Sequence, residues 1–519
     1  MTFQWFKYIC CLTLFASLFT ACKKDLGNYT YKDINTLTIK NIPDTLSLIN
    51  GQAVNIEPGL DFTQDTVAGN YSFEWVSYDP RLADVYTKKV LADTRDLKMT
   101  LPLGIGNYNV YYTVKEKSTG ITWQKKILVI ITGTIKRRGW FVLSDVSDKA
   151  KLDYFEEDMA APGTFLVEYR NFIARVLDKV TATPMSLQGK PTFIEVFSNT
   201  VAGVTGAKQW LYIGTENSGE KINITDGFTW ENPLYSIKAE TATGTYPATP
   251  SWVRGLSTQG YAYQEGNLFF SYPVLRAVWG VPVNRLSTGE PFSIAPHIAM
   301  STGGVSLVFD RNNKRFLKHN ASNFMTTLTP KRFDPNNMNK DLVWMGHTSA
   351  FGGQAIAILK DAADKRYLAR MQFTTSGTFA ADSLKEVTLT DLAGAENFIM
   401  DNQFGYFLYS KGGKLYRYNL DTEELILIKD YGASAQITLL KNRVGSFAQW
   451  FQVEARPDIY NKVQLEPLIL GITVGVFEPA NPATSGKLDV IKISGSAASS
   501  YYTLTGFGKV VDAGYTNLN

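Results

Sequence analysis

The feature that most restricts this chain is a hairpin pattern recurring from residue 140 to the C-terminus. An apolar or aromatic run breaks at a Gly, Asn or Asp turn and resumes as a second run with alternating aromatics. The clearest case opens with Tyr406, Phe407, Leu408 and Tyr409, turns at Gly412 and Gly413, and returns through Leu415, Tyr416 and Tyr418. Related pairs lie at Trp210 to Ile224, Ser306 to Leu317, Ala355 to Arg370, and Leu468 to Ile491. Such runs, punctuated by turn residues, specify antiparallel strands. Radial repetition of hairpins leaves only short sheet edges. The region 139–519 is therefore read as a β-propeller-like domain of about seven blades, roughly 54 residues each. An irregular β-sandwich is the competing architecture, and it would leave several long edges to protect. The strand from Gly506 to Tyr515 is placed to close a ring beside the strand that begins at Trp140.

Residues 32–133 carry shorter strands with period-two alternation. In Gly106 to Glu116 the side chains of Tyr108, Val110, Tyr112 and Val114 share one face, and Ser118 to Gly120 supply a hairpin turn before the apolar run Ile127 to Ile131. About 100 residues of this kind suggest an immunoglobulin-like sandwich, so the fold class is all-β in two domains. A Gly-bounded basic link, Gly133 to Gly139, is the boundary between them.

The N-terminus sets the compartment. Lys7, an apolar stretch from Tyr8 to Phe19, and small Thr20 and Ala21 read as a signal peptide over residues 1–21, too short to span a membrane. Phe19 to Cys22 resembles a lipobox, with Phe19 where leucine is usual, so Cys22 is the expected lipidation site and residues 22–31 the lipidated tether. The other two cysteines, Cys10 and Cys11, leave with the signal, so the mature chain has no internal disulfide to form.

Fifty-two Lys and Arg against 48 Asp and Glu give a formal charge of +4, without the basic excess of a nucleic-acid binder. The three histidines, His297, His319 and His347, lie in no metal-ligand spacing, and no nucleophile elbow or phosphate loop is present. The acidic run Glu156, Glu157, Asp158 reads as a solvated turn, and the stretch from Asp334 to Asp341 as turn chemistry more than a calcium loop. No catalytic residue, metal or cofactor is expected. Aromatics in turn-rich segments remain: Trp230, Tyr246 and Trp252 within the stretch from Gly227 to Gly260, and Trp279 nearby. A ring in such a place can stack on a sugar or an apolar peptide side chain, or pack beneath its loop.

The opening Leu26, Gly27, Asn28, Tyr29, Tyr31, Asp33 and Asn35, the Tyr108–Val110–Val114 hairpin, Trp75, and Gly139 to Asp145 together resemble the PKD-like family lipoproteins of SusC/SusD-type outer-membrane uptake loci. The resemblance implies a lipid-anchored outer-membrane protein, facing the cell surface, that partners a SusC/SusD-like transporter and binds extracellular glycan or peptide without catalysis. It brings no catalytic residues. A propeller-type polysaccharide hydrolase or lyase, and a purely structural transporter subunit, are the rival classes.

Overall fold

A computed structural model describes residues 33–78, 88–104, 106–132, 138–159, 167–179, 187–199, 208–224, 229–230, 250–256, 259–271, 279–301, 304–374, 376–388, 392–402, 404–442 and 471–517. The expected signal peptide, Cys22, its tether, the link 133–137 and Tyr246 lie outside them. The contacts divide the chain into two compact units, residues up to 130 and residues from 131 onward, with 103–106 grouped with the second.

Among the described residues the first unit is a sandwich of nine strands: β1 (Leu37–Lys40), β2 (Thr45–Ile49), β3 (Ala53–Ile56), β4 (Gly59–Phe62), β5 (Tyr71–Tyr78), β6 (Lys89–Ala92), β7 (Leu97–Thr100), β8 (Gly106–Glu116) and β9 (Thr122–Thr132). A five-stranded sheet runs β2-β9-β8-β5-β6, beside the pairs β1-β4 and β3-β7. The alternation of β8 decides its two faces, with Tyr108, Val110, Tyr112 and Val114 all buried. Tyr112 lies 4.4 Å from the fully buried Trp75, whose indole N–H donates to the Thr94 carbonyl at 3.0 Å. Asn35 is a buried strut here, donating to the Tyr71 hydroxyl at 2.6 Å and accepting the Gln64 N–H at 3.1 Å.

Among the described residues the second unit is a ring of seven sheets. Blade 1 contains β10 (Arg138–Asp145), β11 (Ala150–Met159) and β12 (Val167–Ile173). Blade 2 is β13 (Pro191–Asn199), β14 (Lys208–Thr215), β15 (Gly219–Asn223) and β16 (Thr229–Trp230); blade 3 is β17 (Trp252–Leu256), β18 (Gln259–Gln264) and β19 (Asn267–Ser271). Blade 4 is β20 (Ala299–Met300), β21 (Ser306–Asp310), β22 (Arg315–His319) and β23 (Met325–Thr326); blade 5 is β24 (Asp341–Thr348), β25 (Gln354–Lys360), β26 (Arg366–Phe373) and β27 (Phe379–Glu386). Blade 6 is β28 (Asn397–Met400), β29 (Phe407–Lys411), β30 (Lys414–Tyr418) and β31 (Leu425–Asp430); blade 7 is β32 (Gln436–Asn442), β33 (Ile472–Phe477), β34 (Gly486–Ser494) and β35 (Ala497–Phe507). The last strand, β36 (Lys509–Asn517), returns to blade 1 and pairs antiparallel with β10, Trp140 opposite Tyr515.

Blades adhere because their middle strands are apolar on both faces, which explains continuous apolar runs where a one-sided sheet would alternate. Trp140 and Val142 of β10 pack on Leu488 and Val490 of blade 7, while Phe141 and Leu143 pack on Ile194 and Leu211 of blade 2. Likewise Ala355, Ala357 and Leu359 face blade 4, and Ile356 and Ile358 face blade 6. Close approach then demands glycine at Gly255, where any Cβ would strike the Phe197 ring of blade 2. Blade 3 has three described ladder strands because its next segment runs through Pro282, which lacks an N–H. Gly280 and Val283 still donate to the Phe270 and Leu268 carbonyls at 3.0 and 2.8 Å.

The first strand of each sheet, β36 in blade 1, lies innermost, where β13 touches both β36 and β17, and β32 touches both β28 and β36. An inner edge leaves backbone groups without ladder partners, and side chains of neighbouring blades fill that need. Thr348 donates to the Asp401 carbonyl (2.9 Å), Asn397 to that of Ile437 (2.8 Å), Thr438 to that of Val510 (2.6 Å), and Asn442 to that of Met400 (2.7 Å). At the closing blade the Ile194 N–H donates to Asp512 Oδ2 (3.0 Å), and Lys441 Nζ reaches the Ile194 carbonyl (3.0 Å) and Asp512 Oδ1 (3.0 Å). Neutralising Asp512 removes the nearer of the two carboxylates that hold Lys441, the other being Glu195, and disturbs the acceptor of the buried Ile194 N–H. Asp512→Asn should therefore cost about 2–4 kcal/mol, read as a lowered thermal midpoint; an unchanged midpoint would show that closure does not depend on this carboxylate.

Candidate functional site

Two carboxylates stand at the centre of the ring, Glu195 on β13 and Asp512 on β36, and both are engaged. Lys441 lies 3.3 Å from Glu195 and 3.0 Å from Asp512, and Arg254 lies 3.7 Å from Glu195. This four-residue set balances its own charge and locks blades 7, 1, 2 and 3 together.

Space for a ligand opens away from that lock. A recess of about 580 Å³ lies where the inner strands begin, between blades 3, 4 and 5. Tyr263, Ala295 and Phe309, all buried, form its floor, and Arg311, Asn312 and Asp341 stand exposed at its rim. The Ser293 N–H donates to Asn312 Oδ1 at 2.6 Å, and Lys314 pairs with Asp341 at 3.2 Å, so the rim is held in place. Because Tyr263, Ala295 and Phe309 expose almost nothing, the surface offered to a ligand is mainly the rim of both charges, which can bond hydroxyl, amide or charged groups. A second recess, about 340 Å³, opens at the other end of β24, between blades 5 and 6. Its walls include the Phe351, Phe404 and Tyr406 rings.

The aromatics expected to bind ligand are placed differently. Trp252 is not in a loop; it starts β17, where its ring stacks on Tyr263 at 5.4 Å and its N–H donates to the Pro296 carbonyl at 2.9 Å. The upstream Pro and Gly punctuate the approach to the strand rather than the strand itself. Trp279 is buried against Gly260, its ring edge-on to Tyr212 of blade 2 with the ring centres 6.4 Å apart. Both therefore belong to one apolar cluster of blades 2 to 4 and expose no flat face, although Trp252 underlies the Tyr263 floor of the larger recess. The backbone of Trp230 pairs in β16; its side chain, like all of Tyr246, lies outside the described residues. Truncating either buried ring, Trp252→Ala or Trp279→Ala, should cost about 3–5 kcal/mol in thermal or denaturant unfolding, a loss too large for a surface ring.

The acidic run at Glu156 is also corrected. It sits in β11, not a turn, and Glu156 is buried, its Cα opposite Gly139 on one side and Arg170 on the other. At Asp334, Oδ1 accepts the Asn336 N–H at 2.9 Å and Asn336 Nδ2 donates to the Leu328 carbonyl at 2.7 Å, so these oxygens close a turn.

The histidines serve packing. His319 is fully buried on β22; Nε2 lies 2.7 Å from the Ser322 carbonyl and must donate, so Nδ1 accepts the Tyr261 hydroxyl at 2.7 Å. Burial pushes its imidazole down to about 4. His297 is held down to about 4 as well, mainly by burial, with the Arg254 charge adding to it. Between the ordinary value near 6.5 and the folded value near 4, the unfolded chain takes up protons that the folded chain refuses. Stability is thus complete above pH 6.5 and falls as the pH drops through that window. His319→Gln, though less stable overall, should lose about 1.4 kcal/mol per pH unit of this slope in mid-window; parallel pH profiles for the two proteins would refute the assignment.

Sequence reading missed Phe351, Phe404 and Tyr406. Their signal was faint: an aromatic beside glycine at a strand end, in Phe351-Gly352 and Phe404-Gly405, more than fifty positions apart.

A model of the PKD-like family matches residues 22–186, a span that runs through the sandwich and across β10, β11 and β12 of blade 1. No curated protein matches the chain. Among solved structures it is similar to a quinonprotein alcohol dehydrogenase-like protein from Bacteroides thetaiotaomicron, at 11% identity over 91% of this chain and 97% of that one, with a TM-score of 0.43. The dihydro-heme d1 dehydrogenase NirN follows at 8% identity over 85% and 74% of the two chains (TM-score 0.34), and an ACO/RPE65 chimera at 7% over 86% and 92% (TM-score 0.31). At these scores the likenesses carry no inference about activity.

Proposed function

We propose that this chain is a non-catalytic capture protein, lipid-anchored through Cys22 on the outer membrane and facing the cell surface, which hands extracellular glycan or peptide to a SusC/SusD-like transporter. The observation that carries the capture role is the recess of about 580 Å³ with its exposed rim of Arg311, Asn312 and Asp341. Its volume falls in the range of small-ligand clefts, about 300–1,000 Å³. The non-catalytic reading is supported by the central carboxylates Glu195 and Asp512, which are bound to Lys441 instead of facing each other across an open site. The anchor and the transporter link rest on the lipobox and on the resemblance to PKD-like lipoproteins, supported by the family match over residues 22–186.

Two experiments test this. Cys22→Ala should release the protein from the membrane fraction or leave its signal uncleaved; a variant that still fractionates with outer membrane would remove the anchor from the proposal. The paired change Arg311→Ala with Asp341→Ala should weaken capture of polysaccharide fragments or peptides at least tenfold, about 1.4 kcal/mol or more, with little change in thermal midpoint because both side chains are exposed. Sustained turnover by the purified protein, abolished by one carboxylate substitution, would make it an enzyme instead. Co-purification with the transporter and no ligand across a broad panel would make it a structural subunit.

A further inference from the structure

The recess between blades 5 and 6 has a character that the larger one lacks. Phe351 is 59% exposed and Phe404 40% exposed, two of the few large apolar side chains open to solvent among the described residues. Phe351 also holds a left-handed backbone, φ 54° and ψ 32°, which a bulky residue rarely adopts. Exposure and backbone strain together are unfavourable for folding, and strain of this kind concentrates at ligand clamps. The surrounding turn keeps it so. Gly405, at φ +70°, leaves room for the Phe351 ring, which any Cβ there would strike. The Phe404 N–H donates to Asp401 Oδ2 at 2.5 Å, and the Phe404 and Tyr406 rings lie 5.5 Å apart.

The opposite wall is polar and partly unspent. Asn419 Oδ1 accepts the N–H groups of Asp421 (2.9 Å) and Thr422 (3.2 Å), which turns its oxygen inward and leaves its NH₂ for a ligand. Asp421 Oδ1 pairs with Arg370 at 2.5 Å, which fixes the carboxylate and leaves Oδ2 to accept. We propose that this recess binds a pyranose ring of a neutral carbohydrate, the C–H face lying on Phe351 and Phe404 and the hydroxyls bonded to Asn419 and Asp421. An apolar peptide side chain would cover the rings but leave the amide and carboxylate without partners, which is the costly outcome. A sugar satisfies both walls. The inference rests on the capture reading above and narrows its ligand to glycan.

The test uses the full lipid-anchored chain in detergent, an array of immobilised oligosaccharides (α- and β-glucans, mannans, galactans and xylans) and a peptide array. Wild type should bind at least one saccharide class, and Phe351→Ala, Phe404→Ala and Asn419→Ala should each weaken it tenfold or more. Phe351→Gly should abolish binding without lowering the thermal midpoint, because glycine accepts that backbone freely; a merely structural ring would lower it. Saccharide binding that survives loss of both phenylalanines but not the Arg311/Asp341 change would overturn this site and leave the capture role standing. Binding of peptide alone through Phe351 would overturn the sugar. A wild type that binds neither array would sink both.

Discussion

Apolar packing between neighbouring blades is what the second unit depends on. Each fully buried side chain of the kind found at Phe141, Phe309 or Phe407 contributes about 1.5–3 kcal/mol, and such residues occupy both faces of the middle strands. Exposed ion pairs such as Lys385 with Glu423 are worth about 0–1 kcal/mol. The ring is therefore held by its interfaces, and the polar network at its centre decides register and closure more than cohesion.

That division of labour shapes where ligand chemistry can occur. The inner strands need their edge groups satisfied, and Thr348, Asn397, Thr438, Asn442 and Lys441 are spent on that task. What remains free lies at the two ends of the strands, in the segments that join the sheets. The recesses beside Asp341 and Phe351 sit at the beginning and just past the end of β24, a strand of eight residues, so about 25 Å of rigid sheet separates them.

Much of the architecture was legible because it is written in local periodicity. Tyr108, Val110, Tyr112 and Val114 alternate as a one-sided sheet requires, and the Gly412-Gly413 pair turns β29 into β30. The run beginning at Trp140 reads as a strand beside which Gly506 to Tyr515 closes the ring, and β10 and β36 pair there. The recesses were not legible, for physical reasons. Trp252 was misplaced because Pro and Gly just before it look like a loop, while its own cross-strand partner Tyr263 is invisible without pairing. Phe351 and Phe404 meet only because blades 5 and 6 pack together, and no spacing in the chain records that. Buried Glu156 was misjudged for the same reason, since its neighbours Gly139 and Arg170 come from other strands.

The place of β36 has a consequence for how the molecule comes into being. Blade 1 takes its innermost strand from a segment made after blades 2 to 7, so that position stays vacant until β36 is made. Until then β10, β13 and β32 border an unfilled slot, with Lys441 left to Glu195 alone and the Ile194 amide without the Asp512 carboxylate. Local hairpins can form during synthesis, but the circle needs β10 and β36 both in place. Truncation before β36 would leave an open arc with a raw strand edge at each end, the form of sheet most prone to recruit a stranger.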